Sequence, residues 1–461
     1  MLNARRMSGC MLGVVSLMLT TSLGVSLAPV APVQAGSVTT TGTASAFSLV
    51  QWRPLTATSA DAFVETVGVN IHTGYSDTVY ADQDRTLRLL KNLGVRHVRD
   101  ALKADNRTMH AALRRLAQNG IGATLIAEPS GRFGAGALDE QIAALTDPRK
   151  LKGAVVAVEG PNELDCAAPA PDQARSQQSA LAEAIAAQPS LDSVLLLAPA
   201  GCREVESIRG YGSDGAASDG WNLHAYPCGE MPEASATRQQ VASAAAVEKQ
   251  PVYVTETGYH NAVAGDGQGH NATSQDAAGP YAARLILTFA QWGVARTYLY
   301  ELQDQRVDQS GMNRETAFGL VAVDGTPKPA YRYVQALLQT LADPGGDVAD
   351  ATVTVGFTGA PEDLRSVAFA RADGSTDLVL WRAARLWDPV AKQPLTVPEV
   401  PVTVYTEAQG PGSVVELAHG VARVPVPGNG EYTVSVGASP VILRFGGAPV
   451  NDAAFEPSVG S

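Results

Sequence analysis

Glu163 closes the run GAVVAVEGPNELD and Glu256 closes QPVYVTETGYH, so each carboxylate follows a stretch of apolar, β-branched residues. Such a stretch reads as a strand buried on both faces of a sheet. A residue directly after it sits at the mouth of the sheet, where substrates bind in parallel α/β folds. Two carboxylates converging there can divide the work of breaking an acetal: one donates and recovers a proton while the other attacks the carbon. Cleavage of a glycosidic bond needs that division. A single strand-end glutamate carries little weight, because charged residues commonly end strands; the pair carries more.

The elements that must position this pair follow a repeating beat. From Asp61 onward, short apolar runs alternate with helix-like stretches, the rhythm of βα units. The strands read, in order, ETVGVNIH, VRHVRD, GATLIAE, AVVAVEG, SVLLLAP, GWNLHAYP, PVYVTET and RTYLYEL. Between them, amphipathic segments such as DRTLRLLKNLG and MHAALRRLAQNG end in Gly, as helices often do. AGPYAARLILTFAQWG and PKPAYRYVQALLQTLAD predict the last two helices. Eight strands with intervening helices predict a (β/α)8 TIM barrel over residues 61–343. An open, doubly wound sheet is disfavoured because no Gly-rich phosphate turn follows the first strand. After Pro344 the pattern changes to period two around Gly, Asp and Asn turns, as in SVAFARADGSTDLVLWRA and GVARVPVPGNGEYTVSV. That predicts an antiparallel β-sandwich domain over 344–448, with 449–461 as a flexible tail.

Active sites of such barrels lie at the C-terminal ends of the strands. The residues found there are Asn70 and His72 after the first strand, Arg99 and Asp100 after the second, and Glu128 after the third. Asn162 and Glu163 follow the fourth, His224 and Tyr226 the sixth, Glu256 the seventh and Glu301 the eighth. Arg99, where it reaches Glu256, would hold that carboxylate ionised; an ion pair with Asp100 is its structural alternative. His72 and His224 could hydrogen-bond sugar hydroxyls or serve as satisfied structural histidines. Tyr75, Tyr259 and His260 fall on rim loops as candidate subsite contacts, whereas Trp221 starts a strand and belongs in the core. Asp77, Asp82 and Asp84 form an acidic group without EF-hand spacing. The chemistry requires no metal and no cofactor.

With 461 residues the chain exceeds what one core usually serves, and 45% hydrophobic with 17% charged residues suits a globular protein. A net charge of -12 argues against nucleic acid or an anionic membrane as partner. Arg5 and Arg6 precede a long apolar segment, and Val33-Gln34-Ala35 offers a small-residue cleavage site before Gly36. Residues 1–35 therefore read as a signal peptide; Pro29 and Pro32 favour cleavage over a retained anchor. Residues 36–60 follow as a flexible lead-in, and the mature protein is expected outside the cytoplasm: extracellular, periplasmic or associated with the cell wall. Cys166, Cys202 and Cys228 then remain, enough for one disulfide and a leftover thiol in an oxidising compartment. Their spacing leaves open which two pair.

The chain resembles the clan A glycoside hydrolases, retaining enzymes on a (β/α)8 barrel. The resemblance rests on Gly160-Pro161-Asn162-Glu163 after strand four and Thr255-Glu256-Thr257-Gly258 after strand seven, with Arg99 and His224-Ala225-Tyr226 in support. It covers roughly residues 61 to 340, and a closing β-domain suits several families of that clan, among them the β-xylosidases and α-iduronidases. It implies that Glu163 is the general acid/base and Glu256 the nucleophile. It further implies that Tyr226 donates a hydrogen bond to the nucleophile and that Asn162 binds the sugar hydroxyl beside the anomeric carbon. Glu301 stands where many clan members place an aromatic platform, which points to a different substrate polarity. The implied partner is a carbohydrate. A catalytically inactive carbohydrate-binding protein on the same barrel is the alternative; an esterase is disfavoured because no G-x-S-x-G elbow is present.

Overall fold

The computed structural model describes residues 50–447, apart from 167, 169, 203–204, 212–217, 248–249 and 266–268. The expected signal peptide, the tail from 449 and most of the lead-in lie outside the described residues. The first element, β1 (Gln51–Ser59), leads into α1 (Ala60–Glu65). Eight strands follow: β2 (Val67–Asn70), β3 (His97–Ala101), β4 (Gly122–Ile126), β5 (Val155–Glu159), β6 (Leu195–Leu197), β7 (Trp221–His224), β8 (Val252–Thr257) and β9 (Val294–Leu299). Outside them run α2 (Gln83–Leu93), α3 (Arg107–Ala117), α4 (Leu138–Thr146), α5 (Pro171–Ala186), α6 (Val205–Tyr211), α7 (Ser235–Ala245), α8 (Gln275–Gln291) and α9 (Pro329–Leu341).

The eight strands pair in parallel in the order β6-β5-β4-β3-β2-β9-β8-β7, and a parallel bridge between Leu197 and Gly220 closes the ring. This is the expected TIM barrel. Val69, Val98, Leu125, Val158 and Val254 are wholly buried, which explains why the strands read as unbroken apolar runs rather than alternating ones. The helices obey the opposite rule. In α2 the Asp82 carboxylate accepts the Arg85 N–H, Leu87, Leu90 and Leu93 face inward at helical spacing, and Gly94 ends the helix with φ of 89°, a conformation glycine adopts without strain. No helix among the described residues is long and apolar enough to cross a membrane.

The remaining strands are β10 (Ala351–Thr358), β11 (Leu364–Ala370), β12 (Ser375–Arg382), the short hairpin β13 (Trp387–Asp388) with β14 (Gln393–Pro394), β15 (Val400–Thr406), β16 (Gly412–Glu416), β17 (Arg423–Val426), β18 (Glu431–Val436) and β19 (Val441–Gly446). All but the hairpin join β1 in one nine-stranded sheet. Strand alternation shows how it is used. Leu378 and Leu380 of β12 pack with Val355, Phe357, Val402, Val404 and Tyr432 in the sheet's own core, while Val379 and Trp381 turn toward the barrel. At that junction the Phe63 and Phe369 rings lie 4.7 Å apart, and Trp381 Nε1 donates to Glu233 Oε1 at 2.7 Å. Buried Arg284 pairs with Glu233 and donates to the Ala384 carbonyl, so a charge, its partner and a backbone oxygen are satisfied together.

One segment departs from expectation. Residues 51–59 are not part of a flexible lead-in: β1 runs antiparallel to β10 and parallel to β11. Pro54 hides the strand in the sequence, since proline interrupts sheets. Here β11 meets only Ala57–Ser59, so the Pro54 stretch is an edge on that side, where proline is tolerated. The parallel β1–β11 pair also makes the sheet mixed rather than purely antiparallel.

Candidate active site

Arg99, on β3, is the hub of the barrel's C-terminal mouth. Its side chain is 2% exposed, and all its donors are used. Nη1 donates to Glu256 Oε1 at 2.7 Å and to Asn70 Oδ1 at 2.9 Å; Nε donates to Glu159 Oε1 at 2.8 Å; Nη2 donates to Asn162 Oδ1 at 2.7 Å and also reaches Glu159. The alternative pairing with Asp100 is not made: Asp100 accepts the Thr73 N–H instead. A buried guanidinium is stable only when paired and fully hydrogen-bonded, and two carboxylates with two amide oxygens supply this.

Glu256, near the end of β8, receives Arg99 on Oε1 and the Tyr226 hydroxyl on Oε2 at 3.0 Å. Burial alone would raise its pKa. The charges of His224 and Arg99 and the hydrogen bonds from Arg99 and Tyr226 outweigh burial, and the carboxyl lies below its ordinary value. Burial, reinforced by the Glu256 charge, pushes the Tyr226 phenol well above its usual value, so it remains a donor. Gly258 follows with φ of 147°; a Cβ there would stand 2.8 Å from the Tyr300 carbonyl, so glycine is needed for β8 to pack beside that residue.

Glu163 sits four positions past the end of β5, at φ of 51°, in the left-handed region that side chains rarely occupy. Three restraints hold it there. Its N–H donates to the Ala200 carbonyl at 2.8 Å, Asn162 bridges to Ala200, and a disulfide joins Cys166 to Cys202 with Cα atoms 5.0 Å apart. The disulfide ties the loop after β5 to the loop after β6. Cys166 and Cys202 are thus the two that pair, and Cys228 is buried at 5% exposure.

His224 joins the two glutamates. Its Nδ1 lies 2.7 Å from Glu163 Oε1 and 3.5 Å from Glu256 Oε2. Burial lowers the histidine's pKa, but the Glu256 charge and the Glu163 hydrogen bond and charge more than compensate, and its pKa is raised. One oxygen of Glu163, one of Glu256 and a nitrogen of His224 all lie within 4.8 Å of one another. Three such atoms could hold a metal ion, yet Arg99 pressed against the same carboxylate disfavours a second cation there. The arrangement is a carboxyl pair bridged by histidine.

The other sequence candidates separate into two groups. His72 and Glu301 belong to the site: His72 Nε2 is 3.0 Å from Glu301 Oε2, which also accepts from Tyr80 at 3.2 Å, while Gln305 donates to Glu301 Oε1 at 3.1 Å. Tyr75 stacks on His72 at 4.7 Å. Tyr259 and His260 are not subsite contacts. Both are buried, Tyr259 donating to the Glu230 carbonyl and His260 packing against His270 and Phe318. Trp221 is in the core, as expected, and donates to the Val247 carbonyl. Asp77 and Asp84 pair with Arg306 and Arg115, and Asp82 caps α2, so the acidic group is consumed by helix and loop structure.

Two acids were missed by sequence reasoning. Glu159 is the last residue of β5, wholly buried, and accepts from Arg99 and from Asn222 at 3.2 Å. A charged residue inside an apolar run was the available signal. Glu315 lies in a loop after β9 with nothing in its neighbourhood to mark it. Burial pushes its carboxyl up to about 7 from 4.5, Arg314 opposes that, and the charges of Glu256 and Glu163 add to it. The fold therefore favours uncharged Glu315: that contribution is full below pH 4.5 and is lost as pH rises through 7. The gap from 4.5 to about 7 is worth at most on the order of 3 kcal/mol, and solvent reaching the 28% exposed side chain reduces it. Glu315→Gln is expected to be more stable than the parent at pH 8 and equal to it near pH 4. Denaturant melts at the two pH values check this, and equal stability at both would remove the claim.

No protein-family model matches the sequence, and no curated protein matches it significantly. The fold does have solved counterparts. A family 39 glycoside hydrolase from the gut symbiont Bacteroides cellulosilyticus is 15% identical over 84% of this chain and 81% of its own, with a TM-score of 0.57. A glucosidase from Croceicoccus marinus is 13% identical over 86% and 99%, at 0.58. A monomeric β-xylosidase from Caulobacter crescentus is 15% identical over 86% and 98%, at 0.54. At such identities the likeness establishes a shared barrel and β-domain, and the chemistry rests on the residues.

Proposed function

We propose that this chain is a retaining glycoside hydrolase that cleaves a glycosidic bond of an oligo- or polysaccharide by double displacement, with Glu256 as nucleophile and Glu163 as acid/base. The observation that carries the reading is the approach of the two carboxyls to within 4.8 Å. Retaining enzymes place theirs about 5–5.5 Å apart, whereas inverting enzymes leave about 6.5–9.5 Å for a water between them. The solved counterparts, a family 39 glycoside hydrolase, a glucosidase and a β-xylosidase, agree with it.

The roles follow from the surroundings. Arg99 and Tyr226 keep Glu256 ionised and aimed. An oxygen of Glu256 attacks the anomeric carbon as the bond to the leaving oxygen breaks, and Glu163 supplies the proton that oxygen needs. The product of this step is a glycosyl ester on Glu256. Water then attacks the same carbon, its proton passes to Glu163, and the carboxylate of Glu256 departs. Because Asn162 Oδ1 accepts from Arg99, its amide N–H donors are left for the hydroxyl beside the anomeric carbon. His72 and Glu301 offer hydrogen bonds to the remaining hydroxyls of the same sugar. We further propose export from the cell, supported by the N-terminal segment and by a disulfide between Cys166 and Cys202.

The test is a panel of aryl glycosides followed by proton NMR of the first-formed product. A retained anomeric configuration is expected. Inversion would remove the double displacement, and inactivity on every glycoside, with binding intact, would favour the inactive carbohydrate-binding alternative.

A further inference from the structure

The loop after β4 carries an exposed aromatic ring that is linked through Arg132 to the residue before the proposed acid/base. Phe133 is 45% exposed and stands at φ of 58° and ψ of 20° between Gly131 and Gly134, both also at positive φ. A non-glycine residue in that region is strained, and the strain persists only where the surroundings impose it. They do so here. The side chain of Gln141, wholly buried on α4, accepts the Glu128 N–H and donates to the carbonyls of Glu128 and Gly136, which staples both ends of the loop. Ala104 adds a hydrogen bond to the Ala135 carbonyl.

The same loop grips the residue before Glu163. Glu128 Oε1 accepts the Asn162 N–H at 3.1 Å, and Arg132 Nη2 donates to the Asn162 carbonyl at 2.9 Å. Arg132 in turn lies over the Phe133 ring, 4.5 Å from its centroid. The order is therefore Phe133, Arg132, Asn162, Glu163: a ring contact, a hydrogen bond to a backbone carbonyl and a peptide bond lead to the proposed proton donor. The proposed hydroxyl-binding groups His72 and Glu301 come from the loops after β2 and β9, two and three strands round the barrel from β4. A proton donor must stand beside the bond that breaks, and the group attached to that oxygen is the departing one.

We propose that Phe133 is the platform for the leaving-group sugar, a ring with an apolar face that stacks against the aromatic side chain as the bond to the retained sugar is cut. The proposal rests on the glycosidase reading. It assigns Phe133 to binding on the departing side, so its effect must depend on what departs.

The experiment compares the wild-type protein, Phe133→Gly and Phe133→Trp on two substrates of the sugar identified by the aryl glycoside panel: a disaccharide, and the glycosyl fluoride, whose leaving group carries no ring. Gly relieves the backbone strain and so keeps the variant folded. For Phe133→Gly, kcat/KM on the disaccharide is expected to fall about tenfold, the loss of one aromatic stacking contact, while the fluoride is hydrolysed as by the wild type. Phe133→Trp keeps both activities. An equal fall on both substrates, or none on either, would overturn the proposal. A wild-type protein inactive on all glycosides would remove the glycosidase reading, and this one with it.

Discussion

Replacing Glu256 by Gln is expected to lower kcat on an activated aryl glycoside by about 10⁴-fold or more, the scale seen when a nucleophile acting as part of a unit is removed. An activated leaving group departs without help from Glu163, so the loss falls on the attack alone. The substitution is nearly isosteric: the amide oxygen of Gln can still accept from Arg99, and its N–H2 can donate to the Tyr226 oxygen. Arg99 keeps Glu159 as its ionised partner, so its buried charge is not stranded. The far-ultraviolet spectrum and melting temperature should therefore stay close to those of the parent. Mass spectrometry offers a second reading: a 2-deoxy-2-fluoro glycoside, whose ester is slow to hydrolyse, should label the wild type once and leave Glu256→Gln unlabelled. A fully active variant, or one labelled at the same rate, would take the nucleophile away from this residue.

The arrangement that makes such a test sharp was only partly legible in the sequence. Barrel strands are buried on both faces, so AVVAVEG and PVYVTET announce themselves as apolar runs, and the glutamates after them follow at once. The C-terminal sheet is equally plain, because one face packs its own core and the other alternates away from it. Pairings across the barrel are a different matter. That Arg99 reaches Glu256 rather than Asp100, its neighbour in the chain, depends on the inward register of β3, which no local pattern records. Glu159 was hidden by its own strand, where it reads as the last letter of an apolar run. Tyr259 and His260 show the converse error: placed just past a strand end they look like rim residues, yet the chain turns them inward against Tyr281, His270 and Phe318. Position along the sequence identified which strand ends matter, and only packing decided which way each side chain points.

Glu163→Ala carries the second large effect, and its signature is selectivity rather than simple loss. General acid assistance is typically worth about 10²–10⁴-fold, and only a poor leaving group needs all of it. On a disaccharide or an unactivated alkyl glycoside the variant should lose that full factor. On a dinitrophenyl glycoside the first step should survive nearly intact, and the second, which needs Glu163 as base, becomes limiting. Burst kinetics with a raised steady-state level of glycosyl ester on Glu256 is the expected consequence. Removing the carboxylate also clears a negative charge from the site, so azide can enter and attack the ester directly. The product would be a glycosyl azide of retained configuration, formed at a rate that rises with azide concentration. Alanine keeps a Cβ at φ of 51°, as the glutamate does, while the Ala200 hydrogen bond and the Cys166–Cys202 disulfide still fix the loop. A changed fold therefore cannot account for a selective loss. Equal losses on good and poor leaving groups, with no rescue by azide, would mean that the proton comes from elsewhere, and His224, 2.7 Å from Glu163 and 3.5 Å from Glu256, would be the next group to replace.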